Sequence, residues 1–198
     1  MKKEILAEIQ QVPGTIPVLL LAGHAHLHKR PSLMGTYKLA EPWTDYIVRN
    51  IAEVTGAHAL YTTMDLDYDP NFHTIDRNPF LQAADELVTS HKIKYVFDFH
   101  GLSDKYSYDI GVYYLSRFTK SKYISFRIAD ALNNGHLAEL LVQLFNFKQN
   151  KQVTLTENLV KKYKLAGVQI EIARYIREDE VMREALIKEF SEFVLELE

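Results

Sequence analysis

The 198-residue chain predicts an α/β fold with three layers, an open, mainly parallel or mixed sheet carrying helices on both faces. Continuous apolar runs such as Ile16 to Ala22 suit strands buried on both sides, and segments of helical spacing separate those runs. No internal repeat or low-complexity tract breaks the alternation. The composition, 47% hydrophobic and 25% charged, is that of an ordinary globular protein, and the length favours one domain over residues 1–198 with a core able to support a cleft.

Residues 3–11 read as a short amphipathic helix that stops before Pro13-Gly14, and the run Ile16 to Ala22 is the first buried strand, ending at Gly23-His24. Residues 23–39 read as a loop. Glu41 to Val54 has helical spacing with Pro42 in its first turn, and Gly56 closes it. Ala57 to Thr63 is a second strand, and the turn-rich stretch from Asp65 to Pro79 reads as a long surface loop. Phe80 to His91 is helical by period. Lys94 to His100 is a strand whose alternation puts Val96, Asp98 and His100 on one side. Asp109 to Leu115 is a further strand, and Ser121 to Leu144 reads as helix with a break at Asn133-Asn134-Gly135. Thr156 to Leu165 reads as a short helix capped by Thr156. The strand after Gly167 places Gln169 and Glu171 opposite Val168, Ile170 and Ile172, and a closing helix starts near Asp179.

Several function classes are disfavoured at once. The net charge of −3, without a basic block, gives no electrostatic footprint for nucleic acid. No apolar run reaches the roughly 18 to 20 residues that cross a bilayer. Residues 1–10 mix charged and apolar side chains unlike a secretory signal, so a cytoplasmic location without membrane attachment is expected. Cysteine is absent, so a metal would have to be held by His, Asp or Glu. Small molecules or short peptides are the expected partners; oligomeric state is left open.

His24, His26 and His28 form a His-rich loop just after a buried strand, where a neutral imidazole can meet a metal; the plain alternative is a solvated polar loop. His24, nearest the strand, is the best ligand candidate. Asp98 and His100 share one side of an apolar strand and need a polar partner, either a metal at His100 with Asp98 supporting it or simply each other. Glu171, a carboxylate within an apolar strand, calls for a cleft, a cation or an ion pair with Arg174 or Arg177. Glu41 alone reads as a helix-start acid, and Asp45 lies one turn on from it, on the same face.

Taken in order, these motifs resemble the N-formylglutamate amidohydrolase family, itself similar to the zinc-carboxypeptidase fold. The matching steps are His24 after the first strand, Glu41 ahead of Thr44-Asp45, the strand end Asp98-Phe99-His100-Gly101, and Gln169-Ile170-Glu171 followed by Arg174. The resemblance covers about residues 16–178 and implies zinc, or another divalent metal, held by His24, Glu41 and His100. It implies Glu171 as general base; Arg174 or Arg77 is a candidate to stabilise an oxyanion or anchor a substrate carboxylate, Asp98 to support His100, and Asp45 to support the ligand or simply cap a neighbour. The step Asp69-Pro70-Asn71, with Arg77 beyond it, is similar to the substrate-binding step of zinc carboxypeptidases, which makes Asn71 and Arg77 candidates to hold a substrate carboxylate. The family's Asp-x-Asn-Arg step stands here only as Asp76-Arg77-Asn78-Pro79, and Ala25-His26 follow His24 where small residues including Gly are usual. The implied activity is hydrolysis of an amide bond in a small N-acyl, for instance N-formyl, amino acid or a peptide-like substrate by metal-activated water. The alternatives are a catalytically silent relative that binds a metal or peptide, and a purely structural set of ion pairs. A (β/α)₈ barrel opened by His24-Ala25-His26 is disfavoured by length, since such barrels need about 250 residues.

Overall fold

The computed structural model describes residues 8–30, 36–115, 118–146 and 154–197. Its centre is β2 (Val18–Ala22), all five residues buried, as a strand covered on both faces requires. On one side of it lies β5 (His58–Thr62). On the other lie β6 (Tyr95–Gly101) and then β9 (Ala166–Ile172), all four strands running parallel. β1 (Ile9–Val12) pairs antiparallel with β5 at one edge. β7 (Ile110–Tyr114) runs antiparallel to β9, and β8 (Val142–Asn146) is parallel to β7 at the other edge. The seven strands thus stand in the order β1-β5-β2-β6-β9-β7-β8. A two-stranded ribbon of β3 (His28–Lys29) and β4 (Tyr37–Lys38) lies apart from this sheet.

Alternation along the strands builds two cores. Val18, Leu20, Ala22, Phe97 and Phe99 face α1 (Thr44–Thr55), α3 (Thr119–Ala131) and α6 (Glu180–Leu195). Leu19, Leu21, Leu60 and Val96 face α2 (Pro79–Ser90) and α4 (Leu155–Tyr163). The short α5 (Arg174–Glu178) joins β9 to α6. Helices on both faces of a mixed sheet make the expected three layers. β2 connects through α1 to β5 on one side, while the chain returns through α2, on the opposite face, to β6 on the other. The strand order therefore reverses between β2 and β6, which is where open sheets of this kind leave a crevice at their C-terminal edge. Among the described residues no helix is long and apolar enough to cross a membrane.

Several local expectations are overturned. The helix expected at 3–11 gives way, within the described residues, to strand β1, because Ile9 is buried and four residues pair with β5; residues 3–7 lie outside the description. The helix expected to reach Leu144 ends at Ala131, and Val142–Asn146 instead adds an edge strand to β7, a placement decided by tertiary pairing. Within the expected loop 23–39, His28–Lys29 and Tyr37–Lys38 pair as strands; residues 31–35 lie outside the description. The stretch 65–79 is not simply a surface loop, since Asp69, Asn71 and Asn78 are buried. Thr154, rather than Thr156, caps α4 in a capping box with Glu157. The closing helix begins where expected, α6 being capped by Asp179, which accepts from Met182 N.

Candidate metal centre

Three adjacent parallel strands deliver the central groups. β2 ends two residues before His24, β6 ends at His100-Gly101, and β9 carries Glu171 directly opposite His100 in register. Glu41 arrives from the start of α1, where its N–H donates to His24 O at 2.9 Å and its own carbonyl accepts from Thr44 Oγ1 at 2.8 Å. Trp43, the next residue but one, sits at φ 72°, ψ −6°, a left-handed conformation that costs a bulky side chain about 1–3 kcal/mol. The price of the turn is a carboxylate aimed back at the strand ends.

His24 Nδ1 lies 3.4 Å from Glu41 Oε1, and His100 Nδ1 lies 3.0 Å from Glu41 Oε2. Two ligands each about 2.1 Å from a tetrahedral ion stand about 3.4 Å apart, so this spacing suits one shared cation. His24 Nδ1 is buried with no hydrogen-bond partner among the described residues, an orphan that an ion at this point would satisfy. The far nitrogen of each ring meets a buried carboxylate. His24 Nε2 is 3.0 Å from Asp69 Oδ1, and His100 Nε2 is 3.2 Å from Asp98 Oδ2. Such carboxylates fix the tautomer that leaves Nδ1 free to bind metal. Asp69 also accepts from Asn71 N at 2.8 Å and Arg30 Nε at 2.6 Å, while Asp98 accepts from Thr156 Oγ1 at 2.9 Å. Gly23 makes the first of these supports accessible, because a side chain there would stand 3.0 Å from Pro70 Cβ and push the Asp69 segment away.

His24, His28 and Asp69 form a second cluster with ligand atoms close together, His28 stacking on His24 at 3.9 Å. Arg30 already puts a fixed positive charge on Asp69 there, which opposes a cation. Among the described residues no arginine or lysine is hydrogen-bonded to the His24, Glu41 and His100 set, Arg177 acting on Glu41 only through space, and the set opens on a cavity of about 870 Å³, within the range of small-molecule sites.

Burial alone would lower the pKa of both imidazoles, but the carboxylates outweigh it. Glu41 and Asp69 raise that of His24, and Asp98 and Glu41 raise that of His100 well above its ordinary value. Glu41, which burial would push up, is held well below the usual carboxylate range by His100 and His24. The cluster draws positive charge to the point between the two Nδ1 atoms, either as protons or as an ion. Glu171 behaves differently. Burial raises its pKa, and the opposing pull of His100 does not cancel the rise. Gln169 Nε2 donates to Glu171 Oε1 at 2.6 Å and so orients the carboxylate along the cavity wall.

The structure thus brings His24, Glu41, His100, Asp98 and Glu171 together. Asn71 also reaches the cavity, but its side chain is engaged, Oδ1 accepting from Leu155 N at 2.8 Å and Nδ2 lying 3.2 Å from His100 Nε2. Arg174 stands at the rim, largely exposed, with Nε on Glu178 Oε1 at 2.6 Å. Two residues are not brought in. Arg77 has an 80% exposed side chain beside Asp76 and does not line the cavity. Asp45, in the first turn of α1, makes no side-chain bond to the ligand set among the described residues. Sequence reasoning missed Asp69 and Arg177. For Asp69 the signal was the Asp69-Pro70-Asn71 step, read for its Asn; for Arg177 it was the second arginine after Glu171.

No family model and no curated protein sequence matches the chain. Its architecture is that of amidases and metallo-carboxypeptidases. Among solved structures it is similar to a gene product of Agrobacterium tumefaciens, at 13% identity and TM-score 0.68 over 97% of this chain and 95% of that one. The CwlD amidase of Clostridioides difficile, solved with the GerS lipoprotein, matches at 15% identity and TM-score 0.60 over 91% of this chain and 98% of that one. A metallo-carboxypeptidase from Burkholderia cenocepacia matches at 10% identity and TM-score 0.60, with 96% of this chain spanning 61% of that one. Likeness at these identities establishes the fold.

Proposed function

We propose that this chain is a metal-dependent hydrolase of amide bonds, with one divalent ion, zinc first, held by His24, Glu41 and His100. The observation that carries the reading is the orphaned His24 Nδ1 3.4 Å from Glu41 Oε1, with His100 Nδ1 3.0 Å from the other oxygen of the same carboxylate and a buried carboxylate behind each ring. When bound, such an ion polarises a carbonyl oxygen and makes water acidic enough to ionise near neutral pH. The protein's part falls to Glu171. Its Oε1 is held by Gln169, which leaves Oε2 to take a proton from the attacking water and hand it to the departing nitrogen. A pKa raised by burial suits a group that must both accept and return a proton.

The resemblance to N-formylglutamate amidohydrolases favours an N-acyl, for instance N-formyl, amino acid or a short peptide as substrate. A carboxylate on it would meet Arg30 and Lys38, which line the cavity where Arg77 does not. Metal analysis of the purified protein beside His100→Ala tests the ligand set: about one zinc per chain is expected in the first and little in the second. Equal zinc in both would end the assignment. Zinc-loaded protein inert toward a panel of N-acyl amino acids and peptides would instead mark a catalytically silent relative.

A further inference from the structure

The corner Glu41-Pro42-Trp43 turns the ligand carboxylate toward two strand ends, and it does so through a left-handed Trp43. A strained corner persists only where its surroundings over-determine it. Here two buried arginines from the C-terminal helices hold it. Arg177 donates through Nε to Ile172 O at 3.1 Å and through Nη1 to Pro42 O, so one rigid fork ties the end of β9 to the corner. Arg183 places its guanidinium 4.1 Å from the Trp43 ring centroid and 5.1 Å from that of Tyr46. It also donates through Nη1 to Arg177 O at 2.9 Å, which joins the two arginines into one brace.

Gly101 completes the arrangement. Its N–H donates to Glu41 Oε2 at 3.0 Å. A methyl group added there would stand 2.8 Å from Arg177 Nη2 and 3.0 Å from Glu41 Cβ, so the strand end is bare where the fork and the carboxylate pass. Among the described residues neither arginine donates a hydrogen bond to Glu41 or to either imidazole. Arg177 also attracts Glu41 through space, while the hydrogen bonds of both arginines go to backbone carbonyls around the corner that aims the ligand.

We propose that Arg177 and Arg183 are positioning residues for Glu41, clamping its strained corner so that the carboxylate meets His24 and His100 at ligand spacing. The inference rests on the metal reading above. It separates these arginines from Arg174, whose side chain points into solvent beside Glu178.

The test measures zinc affinity by competition with a chromophoric chelator, together with the visible spectrum of the cobalt(II)-substituted protein, on the full chain. Arg177→Met and Gly101→Ala are expected to weaken zinc binding about 10- to 100-fold, the range seen when partners behind metal ligands are removed, and to alter the cobalt bands. Arg177→Lys should recover part of the loss, since an ammonium can reach one of the two carbonyls. Arg127→Met, which removes an exposed pair with Glu196, should bind as the wild type does. Affinity within twofold of wild type in folded Arg177→Met and Gly101→Ala would overturn the clamp. If Arg177→Met does not fold, Arg183→Met decides in its place by the same criterion, because the methyl of Gly101→Ala also meets Glu41 Cβ and so disturbs the ligand without acting through either arginine. A wild-type protein that takes up no zinc overturns the metal reading and the clamp with it, whereas wild-type binding with unaltered variants overturns only the clamp.

Discussion

Two cavities open at opposite ends of β6 and β9, and they differ in what is buried. The one at the C-terminal ends, about 870 Å³, is floored by His24 and His100, both buried, each ring answered by a buried carboxylate. The one at the N-terminal ends, about 440 Å³, is lined by Lys94, Lys120, Arg127 and Lys164 with tyrosines between them, its lysines lying at the surface. Solvated cations cost the fold little and so imply little, whereas ionisable groups removed from water require a partner. The contrast supports the proposed site by desolvation, not by the presence of a hollow.

Glu171→Gln should keep its zinc and lose roughly 10²- to 10⁴-fold in turnover, measured on whichever acyl-amino acid the wild type cleaves. Unimpaired turnover would take Glu171 out of the reaction. Asp69→Asn and Asp98→Asn, which reach only the far side of each imidazole, should weaken zinc binding about 10- to 100-fold in a chelator competition. If both bind as tightly as wild type, the buried carboxylates are packing rather than support.

Acidity should act more gradually. Glu171 has a raised pKa, so its basic form is lost as pH falls through a value above the ordinary 4.5, and the acid limb of kcat/KM should lie above that figure. An acid limb at or below 4.5 would contradict the burial argument. The smallest effect belongs to the other cavity, where Lys94→Ala and Lys120→Ala should leave zinc content, turnover and melting temperature unchanged. A loss of turnover there would give the N-terminal cavity a part in the reaction.

Much of this was legible in the residues. The strands β2, β5, β6, β7 and β9 lie in apolar runs whose burial is dictated by composition, and the alternation in Asp98-Phe99-His100 and Gln169-Ile170-Glu171 put their polar members on one face. The edge strands β1 and β8 were not legible, because half-buried edges such as Ile9–Val12 mix polar and apolar residues and their pairing depends on a distant partner. Glu41 stood out only through family resemblance, since an acid at a helix start has a sufficient local explanation. Asp69 and Arg177 escaped for a related reason. Their roles are contacts across 45 and 135 positions of chain, for which no local periodicity exists.

The brace on the Glu41 corner reaches back across most of the polypeptide. Translation makes both imidazoles and the glutamate by residue 100, yet the arginines that secure the glutamate emerge only at 177 and 183. If these arginines act as proposed, a cation would be held at full strength only once β9 has slotted in beside β6, a pairing between segments distant along the chain.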